Sequence, residues 1–357
     1  DGFSKGRLSC YYKPMVENST TSGWRTVGHD WVISTLTNHI QSSHIRHAYL
    51  FSGPPSIGKA TLAIDFARSI CCLDNPGAPC GSCRPCNLIA KSKHPDVVEI
   101  TPRISGKTIK QEKLSVDDIR STIYRFTLNP VELPRRIAII NNFETASRFA
   151  SNAILKTLEE PPGDSVFIIT TNHASSLTET VLSRCVVFNL RPLPVDVVKR
   201  TLISSWGAQP QNAYFLAQIS GGRIGWAINL LSDEAALGVR SKKLLELVDL
   251  LSLSRVRRFS YADELRKDRE QAVTTLALWE GWWRDVMIVS AGTHNGNISN
   301  VDYKNEVHKV ASQVAIADIA NTISAIRNTQ EALHKNANAK LALEVLMLQI
   351  PTVNSVT

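Results

Sequence analysis

The sequence predicts an α/β fold with a parallel sheet, followed by an all-helical region. Three observations support this prediction. Short apolar segments alternate with amphipathic segments up to about residue 190, which is typical of a parallel sheet covered by helices. A glycine-containing loop, 53–60, separates the first apolar segment from a helical pattern. Beyond Pro192 and Pro194 the apolar spacing is helical.

The expected strands and helices follow one another in a regular order. The strands are expected at 48–51, 96–100, 136–140, 166–170 and 186–188, and the helices at 62–70, 115–127, 149–160 and 177–183. Ser115 is a candidate N-cap, because its hydroxyl can accept from the first free amides of a helix. Trp279, Trp282 and Trp283 cluster in the helical region, and such an aromatic stripe is more typical of a core than of a ligand site.

The loop from Gly53 to Ala60 has the spacing of a phosphate-binding P-loop. That motif reads Gly-x-x-x-x-Gly-Lys followed by Ser or Thr, whose hydroxyl holds the Mg²⁺ of the nucleotide. Gly53, Gly58 and Lys59 occupy the first three fixed positions, whereas Ala60 has no oxygen to offer. Thr61 has a hydroxyl but follows the Ser/Thr position of the motif by one residue. On a helix, a shift of one residue rotates the direction of the side chain by about 100°. We therefore predict a degenerate nucleotide site at Gly53, Gly58 and Lys59.

The strand expected at 136–140 should end in acids that hold the metal and orient the attacking water. It ends instead in Asn141 and Asn142. A neutral amide can neither balance a divalent cation nor accept a proton from water, and Glu144 is expected to be a surface or capping residue. These defects predict a chain that does not hydrolyse ATP. Binding of ATP stays open, because Lys59 remains and loop amides bind phosphate by themselves.

Four of the seven cysteines have a spacing that indicates a structural zinc site. Cys80, Cys83 and Cys86 are separated by two residues each, and either Cys71 or Cys72 can supply the fourth thiolate. A Cys-x-x-Cys redox pair is the alternative, but four clustered cysteines favour a metal. A zinc-ribbon nucleic-acid module is disfavoured, because no aromatic residue lies between 71 and 86. Four protein ligands would leave no open position for catalysis.

Among the broad classes of protein, the composition argues only against a membrane protein. The net charge of +8 permits a nucleic-acid neighbourhood, but the excess is mild and no long basic run exists. No segment reaches the roughly 20 apolar residues of a membrane span, and no signal peptide is visible, so a cytoplasmic location is expected. Residues 1–14 are polar and patternless and are expected to be a disordered extension, with Met15 a candidate natural start.

Several motifs in a fixed order resemble a known family. His94-Pro95-Asp96 leads a strand, Asn152-Ala153-Ile154-Leu155-Lys156-Thr157-Leu158-Glu159-Glu160-Pro161-Pro162 follows the asparagine pair, and Ser183-Arg184-Cys185 comes next. Asn336 to Glu344 adds a further match near the end. Together with the P-loop and the cysteines, these motifs resemble the sliding-clamp loader subunits of bacterial DNA polymerase III, which are AAA+ proteins. The resemblance covers nearly all of the chain from about residue 24.

The resemblance implies an architecture of three domains. An AAA+ P-loop domain would span 15–190 and carry the inserted zinc module at 71–86. A small helical lid domain at 191–238 and an all-α collar domain at 239–357, which joins the partners, would follow. The spacing of the family's zinc module implies Cys71, Cys80, Cys83 and Cys86 as the ligands.

The resemblance also implies a division of labour within a hetero-oligomeric ring of gamma/tau, delta and non-motor subunits. The gamma/tau motors carry complete ATP sites, and the subunit at the end of the ring lends the arginine of its Ser-Arg-Cys motif, here Arg184, to a neighbour's site. Such a chain would act within the polymerase holoenzyme on the sliding clamp and on primer-template DNA. The alternative is an active gamma/tau-type ATPase. Arg223 resembles the family's lid sensor arginine only loosely, and Thr171 or Asn172 occupies the phosphate-sensor position.

Overall fold

A computed structural model describes residues 23–105, 111–292, 298–334 and 337–353. The predicted extension at 1–14, the candidate start at Met15 and Asn336 of the C-terminal motif lie outside the described residues. The predicted α/β class with a parallel sheet is confirmed. The described strands are β1 (Ala48–Ser52), β2 (Val97–Ile100), β3 (Arg103–Ser105), β4 (Gln111–Lys113), β5 (Arg136–Ile140), β6 (Ser165–Thr171) and β7 (Val186–Asn189).

The main sheet contains five parallel strands in the order β2-β5-β6-β1-β7. β1, β5 and β6 are buried along their whole length, which explains why each reads as a continuous apolar run. Because the carboxyl ends of parallel strands lie at one edge, the P-loop after β1 meets the residues after β5 and β6 there. β3 and β4 form a separate antiparallel hairpin, which the sequence pattern did not predict.

Helices cover both faces of the sheet and make up the rest of the described chain. They are α1 (Asp30–Gln41), α2 (Lys59–Cys71), α3 (Arg84–Ala90), α4 (Val116–Phe126), α5 (Arg148–Glu159), α6 (Glu179–Leu182), α7 (Val195–Trp206), α8 (Pro210–Ile219), α9 (Ile224–Ser232), α10 (Glu234–Ser252), α11 (Arg255–Leu265), α12 (Arg269–Ser290), α13 (Lys304–Ala311), α14 (Ile316–His334) and α15 (Ala339–Gln349). Short 3₁₀ turns lie at Phe143–Thr145, Ala174–Ser176 and Val301–Tyr303. Ser115 caps α4 as predicted, because its side chain accepts from the Asp117 amide.

The buried apolar side chains fall into separate clusters. Two clusters lie on the two faces of the main sheet, one lies among α7, α8 and α9, and one joins α10 to α15. Trp279, Trp282 and Trp283 are completely buried in the last cluster, so the prediction that they form a core is confirmed. No helix in the described ranges is both long and apolar enough to cross a membrane.

Candidate functional site

The P-loop between β1 and α2 has the backbone geometry that its glycines suggest. Gly58 is the N-cap of α2 and has a φ of 107°, a conformation that favours glycine. A Cβ at Gly53 would lie 2.7 Å from the Leu190 carbonyl oxygen, so only glycine fits there without a shift. The loop therefore presents the start of a helix, where free amides and the helix dipole favour an anion.

Protein acceptors engage the ammonium group of Lys59 in three hydrogen bonds. Its Nζ donates to the carbonyl oxygens of Gly53 (2.7 Å) and Pro54 (2.8 Å) and to Oδ1 of Asn172 (2.8 Å). An ammonium has three N–H donors, so the three acceptors account for all of them. Burial lowers the pKa of Lys59 to about 8, although the Glu144 carboxylate acts in the opposite direction. A phosphate would have to replace these acceptors to reach the lysine.

The amides at the end of β5 bond to neighbouring protein groups. Asn141 Nδ2 donates to Glu99 Oε1 at 3.0 Å, and its Oδ1 accepts from the Thr170 hydroxyl at 3.3 Å. Asn142 has a φ of 49°, which asparagine tolerates better than most residues, and its backbone amide donates to Thr170 Oγ1. The position where hydrolysis chemistry needs carboxylates is thus held by neutral side chains.

Glu144 was expected to be a surface or capping residue, but in the structure it belongs to the group of polar side chains at the end of the strand. The 3₁₀ turn at Phe143–Thr145 returns its side chain to the strand end, where Oε1 accepts from the Asn172 amide at 3.2 Å. Its Oε2 is buried without a hydrogen-bond partner among the described residues. Glu144 also lies close enough to Lys59 to affect its pKa. Lys59, Asn172 and Glu144 therefore form one connected group at the edge of the sheet.

A contact from α9 reaches the P-loop through backbone atoms. The Gly225 amide, in the first turn of α9, donates to the Ser56 carbonyl oxygen at 2.8 Å. Arg223 directs its side chain elsewhere: Nε donates to the Ser220 carbonyl oxygen at 3.0 Å, and the guanidinium lies 4.8 Å from the ring centroid of Trp226. Thr171, the other candidate sensor, uses its hydroxyl to donate to the His173 carbonyl oxygen.

Four cysteine sulfurs form a cluster beyond the end of α2. The sulfurs of Cys72, Cys80, Cys83 and Cys86 all lie within 4.8 Å of one another. A tetrahedron with Zn–S bonds of about 2.3 Å separates its sulfurs by about 3.8 Å, so small shifts would bring all four onto one ion. The cluster has the composition and closure of a structural metal site, and it could hold a metal ion.

The cluster corrects the predicted ligand set at one position, because Cys72 takes the place of Cys71. Cys71 is the last residue of α2 and packs into the apolar cluster between that helix and the sheet. Cys72 follows with extended backbone, φ −67° and ψ 125°, which turns its side chain toward the cysteine loop. Burial raises the pKa of the Cys71 thiol to about 12. The spacing alone left this choice open and the family spacing implied Cys71, whereas the structure groups Cys72 with the other three sulfurs.

Some sulfurs of the cluster accept hydrogen bonds, which stabilise negative charge on those sulfurs. Cys72 Sγ accepts from the amides of Asn75 (3.4 Å) and Cys80 (3.3 Å). Slight burial acts to raise the pKa of the Cys80 thiol, but the Ser82 hydroxyl and the Cys83 amide donate to its sulfur and bring the pKa down to about 7. The thiolate, which is the form that binds metals, is therefore favoured at Cys80, whereas burial raises the pKa of the Cys86 thiol.

Arg184 lies two residues after the end of α6, and its side chain is partly exposed. Its Nη1 donates to the Thr180 carbonyl oxygen (2.8 Å) and to Ser183 Oγ (3.3 Å), and its Nη2 donates to Glu159 Oε1 (2.6 Å). The neighbouring Cys185 packs against the apolar cluster on the α5 side of the sheet and fixes the backbone at this point. These hydrogen bonds of Arg184 do not join it to the Lys59, Asn172 and Glu144 group.

Comparisons with known proteins place this architecture in a family. A model described as "DNA polymerase III, delta subunit" matches residues 28–194, and a second, for the C terminus of the delta subunit, matches 236–352. The chain belongs to the DNA polymerase III delta-subunit family. The two matched regions include the P-loop, the cysteine cluster, Arg184 and the helices from α10 to α15.

Individual relatives agree with this assignment. The chain is 28% identical to DNA polymerase III subunit delta' of Bacillus subtilis, over 89% of this chain and 95% of the relative. It is 31% identical to subunit tau of Escherichia coli, over 59% of this chain but only 33% of that protein. A gamma subunit-related protein of known structure from Thermotoga maritima aligns over 88% of this chain and 97% of that chain, with 16% identity and a TM-score of 0.34, and this likeness is too low to support the assignment. The predicted relationship to subunits of DNA polymerase III is confirmed.

Proposed function

We propose that this delta-subunit family member is a non-hydrolysing, delta'-like subunit of the clamp loader of DNA polymerase III. It would assemble with gamma/tau and delta subunits in the cytoplasm and help to load the sliding clamp onto primer-template DNA. One observation carries the proposal: the P-loop keeps its backbone and Lys59, whereas Ala60 lacks the hydroxyl that holds magnesium, and Asn141 and Asn142 lack the carboxylates that hold the metal and activate water. Such a subunit serves as scaffold and trigger, and its neighbours hydrolyse the ATP.

The proposed division of labour gives Arg184 its role. An arginine supplied across an interface neutralises charge that develops on the transferring phosphoryl group, and it makes hydrolysis depend on assembly. The side chain of Arg184 is 31% exposed and belongs to a chain that needs no such group at its own P-loop. We propose that it completes the ATP site of the adjacent motor subunit.

The proposed domains follow the family pattern and agree with the clusters of buried side chains. The AAA+ domain at 15–190 would contain the sheet, and the lid domain at 191–238 would contain α7 to α9. The collar domain at 239–357 would contain all of α11 to α15 and most of α10. In this arrangement the collar holds the ring together. The lid sits against the P-loop through the bond from Gly225 to Ser56.

We expect the isolated chain not to hydrolyse ATP. Ala60 cannot bind Mg²⁺, and the amides of Asn141 and Asn142 cannot replace two carboxylates. Ala60→Thr alone should therefore stay inactive as well. The measurement is phosphate release by the purified chain at saturating Mg·ATP, with Lys59→Ala as the control for contaminating ATPases. Turnover that disappears in Lys59→Ala would instead favour an active gamma/tau-type ATPase.

We also expect the cysteine cluster to hold one Zn²⁺ per chain. Cys72→Ser should remove the zinc and destabilise the loop from Cys72 to Cys86, because binding of structural zinc contributes about 10–16 kcal/mol in zinc-finger peptides. Cys71→Ser is the matched control and should keep the zinc. Metal analysis of chelator-free, reduced protein distinguishes the two variants. Loss of zinc from Cys71→Ser but not from Cys72→Ser would restore the set inferred from the family spacing.

The proposed function as a whole is tested by reconstitution. The purified chain is mixed with gamma/tau and delta subunits, and complex formation, ATPase rate and clamp loading are measured with and without it. We expect the complex with this chain to show clamp- and DNA-stimulated ATPase activity and to load clamps, and the mixture without it to do neither. Equal activity in both mixtures would overturn the proposal.

A further inference from the structure

The surroundings of Arg184 contain a carboxylate to which the family resemblance gave no role. Glu159 is the last residue of α5, and its Oε1 accepts from Arg184 Nη2 at 2.6 Å. We infer that Glu159 is a positioning residue, which holds the Arg184 guanidinium in the orientation needed to enter a neighbour's ATP site. This inference rests on the proposed function of Arg184 in trans.

The geometry fixes one edge of the guanidinium and leaves another available. Nη2 is bound by Glu159, and Nη1 is bound by the Thr180 carbonyl oxygen. These acceptors come from the ends of two different helices, α5 and α6, so the guanidinium plane is defined by both. Arg184 Nε has no hydrogen-bond partner in the part of the chain that the structure describes. A guanidinium held in this way still offers a donor to an incoming phosphate.

Electrostatics explain why a cation settles at this position. The carbonyl end of a helix carries partial negative charge, and Glu159 adds a full negative charge at the end of α5. A carboxylate there is unfavourable by itself, so a cation between the ends of α5 and α6 relieves the repulsion. Without Glu159, Arg184 would keep the Thr180 carbonyl but would regain much of the rotamer freedom of a long surface side chain.

The ion pair between Arg184 and Glu159 orients the guanidinium but is too weak to keep it from binding a phosphate. The side chains of Arg184 and Glu159 are 31% and 48% exposed, so water screens their attraction. A γ-phosphate carries more charge than one carboxylate, so it attracts the donors of the guanidinium that Glu159 and Thr180 leave free. Glu159 therefore reduces the conformational freedom that Arg184 loses when it enters the neighbour's ATP site, and it does not prevent that entry.

The test uses the reconstituted loader and a matched pair of isosteric variants. Glu159→Gln removes the charge that holds Arg184, and Glu160→Gln removes an equally exposed charge one residue later. We expect Glu159→Gln to lower the Arg184-dependent part of the stimulated kcat by about two- to fivefold, as for a partly exposed ion pair. The KM for ATP and the assembly of the complex should stay unchanged, and Glu160→Gln should behave as the parent chain.

A double-variant comparison separates positioning from a structural effect. If Glu159 acts through Arg184, then Glu159→Gln should lower the rate in the parent chain but have no further effect in the Arg184→Ala background. Glu159→Asp, which keeps the charge, should recover part of the rate. Parent-like activity of Glu159→Gln, or the same loss in both backgrounds, would overturn the inference while Arg184→Ala still supports the proposed function. No loss in Arg184→Ala would overturn the function itself.

Discussion

Replacing Arg184 by alanine should lower the clamp- and DNA-stimulated ATPase of the reconstituted loader and reduce clamp loading with it. The guanidinium stabilises charge that develops only while the phosphoryl group is transferred, so its loss should appear in kcat. Trans-acting arginines contribute roughly 10³ to 10⁵ in rate in small GTPases. We expect a smaller change here, because a ring has several ATP sites and Arg184 serves one of them.

Two further variants make the Arg184 experiment specific. Arg184→Lys should recover little activity, because an ammonium lacks the planar fork of donors. Arg200→Ala removes an exposed arginine of α7 that donates to the Asp196 carbonyl oxygen, and it should leave the ATPase unchanged. Assembly of each variant is checked by size-exclusion chromatography. An Arg184→Ala complex with unchanged ATPase and clamp loading would refute the role in trans.

The central strands of the sheet could be predicted from the sequence because they are buried on both faces. β5 was expected at 136–140 and has those bounds, since the four consecutive apolar residues 137–140 are all buried and follow one another without alternation. The hairpin of β3 and β4 escaped prediction for the opposite reason. Its strands have three residues each and a polar sequence, so neither length nor alternation distinguishes them from a loop.

The site was predictable where it depends on residue type and was missed where it depends on a single turn. Ala60, Asn141 and Asn142 are read directly from the motif. The position of Glu144 depends on the 3₁₀ turn after β5, and spacing in sequence gives no sign of such a turn. The choice between Cys71 and Cys72 depends on where α2 ends, and helix ends are uncertain by one or two residues from sequence.

The helical C-terminal region has an exposed apolar surface on α15 that can be altered without disturbing the core. Leu341, Val345 and Leu348 lie on one face of α15 and are 60%, 45% and 56% exposed; we call them the α15 stripe. The opposite face of α15 carries the buried Leu343, Leu346 and Met347. Its C-terminal end is anchored by the buried Arg258, which donates to the carbonyl oxygens of Met347 and Ile350. The segment that resembles the family near the end of the chain therefore overlaps α15, a helix that is held in the core on one side and exposes apolar side chains on the other.

Charging the α15 stripe should abolish assembly of the loader while the chain stays folded. Partner helices that cover three apolar side chains would have to bury charges instead, which costs far more than the apolar contact contributes. We expect Leu341→Glu with Val345→Glu and Leu348→Glu to weaken assembly by at least about a hundredfold, or roughly 2.7 kcal/mol. Leu245→Glu, at an exposed leucine of α10, is the matched control. Size-exclusion chromatography and circular dichroism measure assembly and folding. A folded triple variant that still assembles with gamma/tau and delta subunits would show that the contact with the partner subunits lies elsewhere.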